Sequence, residues 1–437
     1  MNSQSQVWKF FSSVQLAIFT LFTLSLTSII GTIVPQDRSF DFYVEQYGEG
    51  VARFFQVLDI PTMYTSWWFL TLLGLLTINL IVCSIDRFPL AWKQITLDQT
   101  GLTKDRLQKM AYIRTVHNSS PSSLLTLENS LKKSGWKVQR KETADELIIA
   151  AQKGRWSRTG VYIVHVSILV IFAGAIVGHF FGFKGSVLIP ETKETDKVYA
   201  SKTQMPLNLG FTVRCDKFDI EFYDNGMPKE YTSRLTVLDN DQEVMVKDIE
   251  VNHPLQYRGI TFYQSSYEGY RDFLITLTKI GDTTGKTFIA PFQQQIQWGE
   301  QNITMGIVNA EAMRDRVVRM KVWIKSGQNQ PIVTMVEPQK PISLQEHGLP
   351  YSVSVKQMYA TGLQVAKDPG VWLVYLGCFL MMTGLYIAFF MSHRRLWFVS
   401  DTGAPTDLFV AGTTNKNKLG FEKTFTEIFQ IFSENKE

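Results

Sequence analysis

The sequence predicts an integral membrane protein with four transmembrane α-helices, a large extracytoplasmic β-rich domain of sandwich or barrel type, and a small α/β cytoplasmic domain. Three observations carry that reading. Four uncharged runs, Val14–Val34, Trp67–Ile85, Thr159–Phe183 and Gly370–Met391, each approach the ~20 apolar residues a helix needs to cross a hydrocarbon core. Lys and Arg crowd between the second and third runs. The long segment 184–369 breaks into short alternating stretches separated by turn formers.

Taken in order, residues 1–34 are a cytoplasmic N-terminus and first span. Its apolar part is too long for a signal peptide, only Lys9 precedes it, and no A-x-A site precedes Pro35, so a retained anchor is expected. Residues 35–66 form a short outer loop and 67–85 the second span, with Trp67 and Trp68 at its end, where amphipathic rings favour the headgroup layer. The basic segment 86–158 carries a strand at Ala111–His117, a helix at Ser122–Ser134 left through Gly135, and a hairpin of Trp136–Arg140 with Glu146–Lys153. The third span is 159–183. The outer domain, 184–369, reads as strands at Phe211–Arg214, Phe218–Tyr223, Tyr231–Leu238, Val244–Val251, Gly259–Tyr263, Phe273–Thr278, Thr287–Ala290, Val317–Ile324 and Ile332–Val336, with turns such as Asp224-Asn-Gly226 between them. The fourth span is 370–391. Residues 392–437 are a cytoplasmic tail, polar beyond Asn415 except for an amphipathic patch at Phe421–Phe432 suited to docking or to a lipid surface.

Orientation follows from charge. The segment 86–158 is rich in Lys and Arg, 35–66 holds only Arg38 and Arg53, and Arg394 and Arg395 follow the fourth run. The positive-inside rule places both termini and 86–158 in the cytoplasm, where anionic membrane lipid also attracts basic flanks. The chain as a whole has 437 residues, 45% hydrophobic and 19% charged, with a net charge of +4. That charge is too small to suggest a nucleic-acid partner. Cys83, Cys215 and Cys378 form no CxxC pair, which excludes a thiol-redox motif, a zinc ribbon and a c-type haem site on this chain.

No P-loop, GxGxxG, HExxH or GxSxG is present, so hydrolase and ATP-driven chemistry lack support. The sharpest feature is His165 inside the third run, roughly 9 Å along the helix from its cytoplasmic end. An ionisable residue at membrane depth is costly and marks a functional candidate. Neutral imidazole suits haem iron, and it suits a hydrogen bond across a helix interface equally well. His179, fourteen residues on and ~21 Å away on nearly the same face, is a weaker second station. His253, in Val251-Asn-His-Pro254, reads as turn chemistry before metal binding. His117, His347 and His393 sit in loops or at a membrane border without ligand spacing.

Several segments together resemble the ResB/CcsB family of cytochrome c biogenesis proteins (system II). They are Ile30-Gly-Thr-Ile-Val-Pro-Gln36, Ser66-Trp-Trp-Phe69, Asn79-Leu-Ile-Val-Cys-Ser84, Lys153-Gly-Arg-Trp156 leading to His165, and Gly182-Phe-Lys-Gly185. The outer segment adds Asp216-Lys-Phe218, Tyr223-Asp-Asn-Gly-Met-Pro228, Val251-Asn-His-Pro-Leu255 and Tyr263-Gln264. Asp368-Pro-Gly370 and His393-Arg-Arg-Leu-Trp397 bracket the last span. Much of 278–353 and the tail beyond about Ser400 carry little of the likeness.

The resemblance implies a membrane subunit that works with a CcsA/ResC-type partner bearing a tryptophan-rich motif. Such a pair exports or holds haem and presents it to apocytochrome c on the outer face. It implies haem b as a transient substrate or ligand, and a thioredoxin-like reductant for the CxxCH thiols. It also implies residence in the bacterial plasma (inner) membrane or the thylakoid, and a role as half of a haem-lyase complex rather than a complete enzyme. The family's membrane histidine matches His165, as haem axial ligand; His179 has no dependable counterpart. Two rivals stay open: a scaffold for the partner that binds no haem, which one His per chain fits as well, and a b-type cytochrome subunit. The latter needs two facing membrane His, and the first, second and fourth runs hold none.

Overall fold

The computed structural model describes residues 5–434 apart from 118–120, 145, 202, 224, 226, 314–315 and 402–406. Asp224 and Gly226 of the expected turn therefore lie outside the described residues. The chain divides into two units, 1–175 with 371–437, and 176–370.

Among the described residues, four helices are long and apolar enough to cross a membrane. Val14–Ile33 begins at Ser13, whose side chain accepts from the Gln15 amide. Trp67–Thr96 begins at Ser66 in the same way and continues past the expected end at Ile85 through Pro89, so one helix carries both the apolar run and its basic extension. Gly160–Phe181 and Val371–Phe390 are the other two. The residues buried on these last two are small: Gly160, Ser167 and Gly174 on one, Gly377 and Gly384 on the other. Their seven-residue spacing makes a seam along which backbones approach closely, the arrangement that drives helix association where no hydrophobic effect operates. A methyl added at Gly384 would lie 2.9 Å from Val164, and one at Gly160 2.6 Å from the Ala388 backbone.

The segment 35–66 is folded rather than a plain loop. Phe40–Tyr47 and Glu49–Val57 are helices, closed around Val34, Tyr43, Ala52 and Ile60.

The same unit contains a five-stranded antiparallel sheet with spatial order Tyr112–His117, Asp407–Thr414, Arg394–Asp401, Glu146–Lys153, Lys137–Glu142. The helix Pro121–Lys133 and the expected hairpin are present. The tail, however, is not an appendage. It supplies two of the three interior strands, and its helix Lys418–Glu434 lays Phe421, Phe425 and Ile428 into the core with Leu127, Leu131, Phe398 and Val410. The part Phe421–Phe429 of the expected amphipathic patch thus docks on the sheet.

The second unit is β-rich. Its larger sheet runs Lys286–Ala290, Ile260–Lys279, Tyr351–Lys367, Phe183–Pro190, Glu194–Ala200, Pro206–Phe222, Pro228–Asp239, Gln242–Ile249, and a four-stranded sheet covers Gln295–Val336. Two cores form. One gathers Val213, Phe218, Leu235, Phe262 and Leu363; the other gathers Ile275, Met305, Val322, Val353 and Val355. The long strands 260–279 and 351–367 pair with each other and enter both cores, their register shifting between Gly269 and Phe273. Two expected strands, Phe211–Arg214 and Phe218–Tyr223, belong to one strand interrupted by a bulge at Cys215/Lys217. The strand Tyr351–Lys367 was absent from the sequence reading. Its first residues alternate, with Tyr351, Val353 and Val355 buried, but six consecutive buried residues, Met358–Leu363, end the alternation that marks a half-buried strand.

Candidate functional site

A cavity of about 740 Å³ lies in the first unit, within the ~300–1,000 Å³ range of small-molecule pockets. Val14 and Ala17 come from the first long helix. The second supplies Asn79, Leu80, Cys83, Arg87, Leu90, Ala91 and Gln94, a stripe at three- and four-residue intervals along one face. The third brings Val161, Tyr162 and His165, preceded by Ser157 and Arg158; Asn415 and Lys416 complete the wall. No carboxylate is among the lining residues.

His165 is therefore a cavity residue. Its Nδ1 lies 2.8 Å from Ser84 Oγ, a hydrogen bond between the third and second helices that fixes the ring. Its Nε2 takes no hydrogen bond among the described residues. Tyr162 meets the imidazole edge-on at 6.4 Å, and Phe88, Trp92 and Trp156 continue a chain of ring contacts from Tyr162. Asn79, also at membrane depth and almost wholly buried, has a structural task. Its Nδ2 donates to the carbonyls of Phe11 and Ser13 at 2.7 and 2.9 Å, satisfying the end of the helix Gln6–Phe11 and fixing the entry to the first span.

Behind the cavity wall sits a residue to which sequence reasoning gave no part. His393, 1% exposed, opens the strand after the fourth helix. Arg158 Nε donates to its Nδ1 at 3.2 Å, which leaves the proton on Nε2 to donate to Gln152 Oε1 at 3.2 Å. The His393 amide donates to Asn415 Oδ1 at 2.8 Å. Burial, and then the charges of Arg395, Arg158 and Arg155, push its pKa down to about 4, so the ring is neutral near pH 7. Arg158 is half-buried and keeps its two terminal nitrogens free of hydrogen bonds among the described residues. Ser157 Oγ is buried without a partner.

The other candidates are elsewhere. His179 is exposed, with only the Phe180 ring edge beside it at 5.3 Å. His253 closes a turn: its amide donates to the Glu250 carbonyl and its exposed ring lies 3.8 Å from Glu250 Oε2. His117 Nδ1 meets Asp407 Oδ1 at 2.9 Å across the sheet. No group of three or more His, Cys, Asp or Glu suited to a metal ion occurs among the described residues. Ser84, Arg87, Arg158 and His393 were missed as a set. Ser84 and Arg87 were legible in principle, since the helical period from Leu80 to Gln94 aligns with His165 once the two helices are paired.

Comparison with known proteins agrees with this architecture. The ResB-like family matches residues 14–309 and 300–426. A protein of Rhodomonas salina named cytochrome c biogenesis protein Ccs1 is 30% identical over 95% of this chain and 94% of its own length. Proteins named cytochrome c biogenesis protein CcsB from Gloeobacter violaceus and Microcystis aeruginosa are 30% and 27% identical, each over 96% of this chain and 89% and 93% of their own. With four membrane-length helices, a β-rich unit and a match along nearly its whole length, the chain is a membrane protein that belongs to the ResB-like family.

Proposed function

We propose that this chain serves cytochrome c biogenesis by holding haem in the cavity around His165 and, with a CcsA/ResC-type membrane partner, presenting it to apocytochrome c on the outer face. The observation that carries the reading is the state of His165. One ring nitrogen is pinned by Ser84, and the other is left unspent in a cavity large enough for a flat ligand. Ligation through Nε2 requires the proton on Nδ1; Ser84 Oγ is placed to accept that proton, and the contact orients the ring. The apolar lining residues Leu80, Leu90, Ala91 and Val161 suit a porphyrin face, and the absence of carboxylates from the lining avoids repulsion of an acidic ligand.

The basic flank 86–158 and Arg394–Arg395 support a cytoplasmic location for the small sheet and both termini, with the β-rich unit outside as a docking platform. The cysteines are dispersed, half-buried Cys83, buried Cys215 and exposed Cys378, so thiol reduction falls to a thioredoxin-like protein. The sequence carries no recognised catalytic motif, and we read this chain as half of a synthase. The test is co-purification with the tryptophan-rich partner and a haem spectrum of His165→Ala. The variant should lose haem and the low-spin bands; unchanged content and bands sink the ligand assignment.

A further inference from the structure

The cavity holds a second feature that the histidine does not explain. Two guanidinium groups, Arg87 and Arg158, line it. Arg87 makes no ion pair or hydrogen bond among the described residues. Arg158 spends only Nε, on His393. Arg158 lies in the 3₁₀ turn Arg155–Thr159 that leads into the third helix, seven residues before His165, and Arg87 stands one turn beyond Ser84, about 4.5 Å of rise along the second helix. Both cations therefore stand toward the same end of the cavity relative to the histidine and its anchor. A guanidinium left unpaired at the edge of a span is costly, and its fixed fork of donors matches a carboxylate.

His393 explains how Arg158 is kept available. Its neutral ring accepts from Nε and holds the guanidinium by one edge, while Gln152 fixes the imidazole and Asn415 the backbone that carries it. A carboxylate in the place of His393 would neutralise the arginine and consume its fork. A neutral acceptor orients the group and leaves its charge and two terminal nitrogens for a ligand.

Resting on the haem reading above, we propose that Arg87 and Arg158 form a carboxylate-binding end of the cavity that takes the propionates of the porphyrin, with His393 as the positioning residue for Arg158. The site then reads its cargo at two points, a ring nitrogen at the iron and a guanidinium pair at the carboxylates. An anionic lipid headgroup has similar charge, so the experiment must separate the two.

The full chain, co-purified with its membrane partner and placed in nanodiscs of phosphatidylcholine alone, is titrated with iron protoporphyrin IX and with its dimethyl ester. Only the binding component lost in His165→Ala is counted. Wild type should bind the ester about tenfold more weakly, the size of one charge-assisted hydrogen bond. Arg158→Gln and Arg87→Gln should each weaken binding of the free acid, narrow that ratio toward one, and leave the low-spin band positions unchanged. His393→Phe should narrow it, and His393→Gln, which keeps an acceptor, should retain it. Equal affinity of wild type for acid and ester overturns the carboxylate site while leaving the histidine ligand intact. Failure of wild type to show any component sensitive to His165→Ala overturns the haem reading itself. An effect of Arg158→Gln that appears only when phosphatidylglycerol is added assigns the arginines to lipid and also overturns the proposal.

Discussion

Lowering the pH should loosen the small sheet through His393. The folded ring has a pKa of about 4 against an ordinary value of 6.5. Between those values the opened segment binds a proton that the folded one does not, so stability falls as pH falls through this window and is flat above it. Linkage gives a loss of about 2 kcal/mol between pH 7 and pH 5, or about a twentyfold rise in the opening equilibrium. The ring is 1% exposed and faces Arg158, Arg155 and Arg395 with no carboxylate to compensate, so little solvent screening reduces the effect. Hydrogen exchange at the amides of Leu396–Val399, corrected for the intrinsic pH dependence of exchange, reads the opening directly. Those residues are buried in the strand that His393 opens. His393→Gln keeps a polar partner for Arg158 but does not titrate, and its exchange should be nearly independent of pH over the same range. An equal slope in wild type and variant refutes the assignment of the titration to this ring.

Two other perturbations probe packing. Gly384→Leu forces a side chain against Val164 at the seam of the third and fourth helices, where even a methyl is too close. Overpacking of this kind costs about 1–3 kcal/mol or more; the thermal midpoint in detergent should drop, while Gly74→Leu, where an added Cβ meets nothing within 4 Å, leaves it near wild type. Phe421→Ala removes a fully buried ring that packs on Gly412 and Tyr112. The loss of about 3–5 kcal/mol should free the helix Lys418–Glu434 and make it the first site cut in limited proteolysis; unchanged cleavage argues that the helix is held by other contacts.

Much of this architecture was written plainly in the sequence. The four spans are uncharged runs bounded by charge, and hydropathy reports such runs because lipid demands them. The strand Tyr112–His117, the helix that follows and the hairpin were legible because their periodicity is local. The tail was not. Arg394–Asp401 and Asp407–Thr414 are continuous apolar strands buried on both faces, so they carry no alternation, and their partners lie some hundreds of residues upstream. The strand Tyr351–Lys367 alternates over 351–355, but its second half runs through six consecutive buried residues, Met358–Leu363, and carries no such signal. At the site, His165 stood out because a histidine in an apolar run is rare. Arg158 and His393 did not, because each sits among other basic residues at a membrane border, where a charge ordinarily means solvent or lipid headgroup. What separates them is a hydrogen bond between residues 235 positions apart, which no window along the chain can contain.

The order of strands in the small sheet sets a schedule for biosynthesis. Tyr112–His117 touches no other early strand; its partner in the sheet is Asp407–Thr414, and Glu146–Lys153 has one edge covered only by Arg394–Asp401. Until residues 394–414 have been synthesised and docked, a bare strand edge and an open core face remain on the nascent chain. Closure of this sheet is then a test of completion: a chain in which 394–414 has not docked leaves the edges of Tyr112–His117 and Glu146–Lys153 unpaired. Arg158 depends on the same event, since His393 and Asn415 arrive with those strands, so the cavity acquires its finished wall only in a chain that has passed the test.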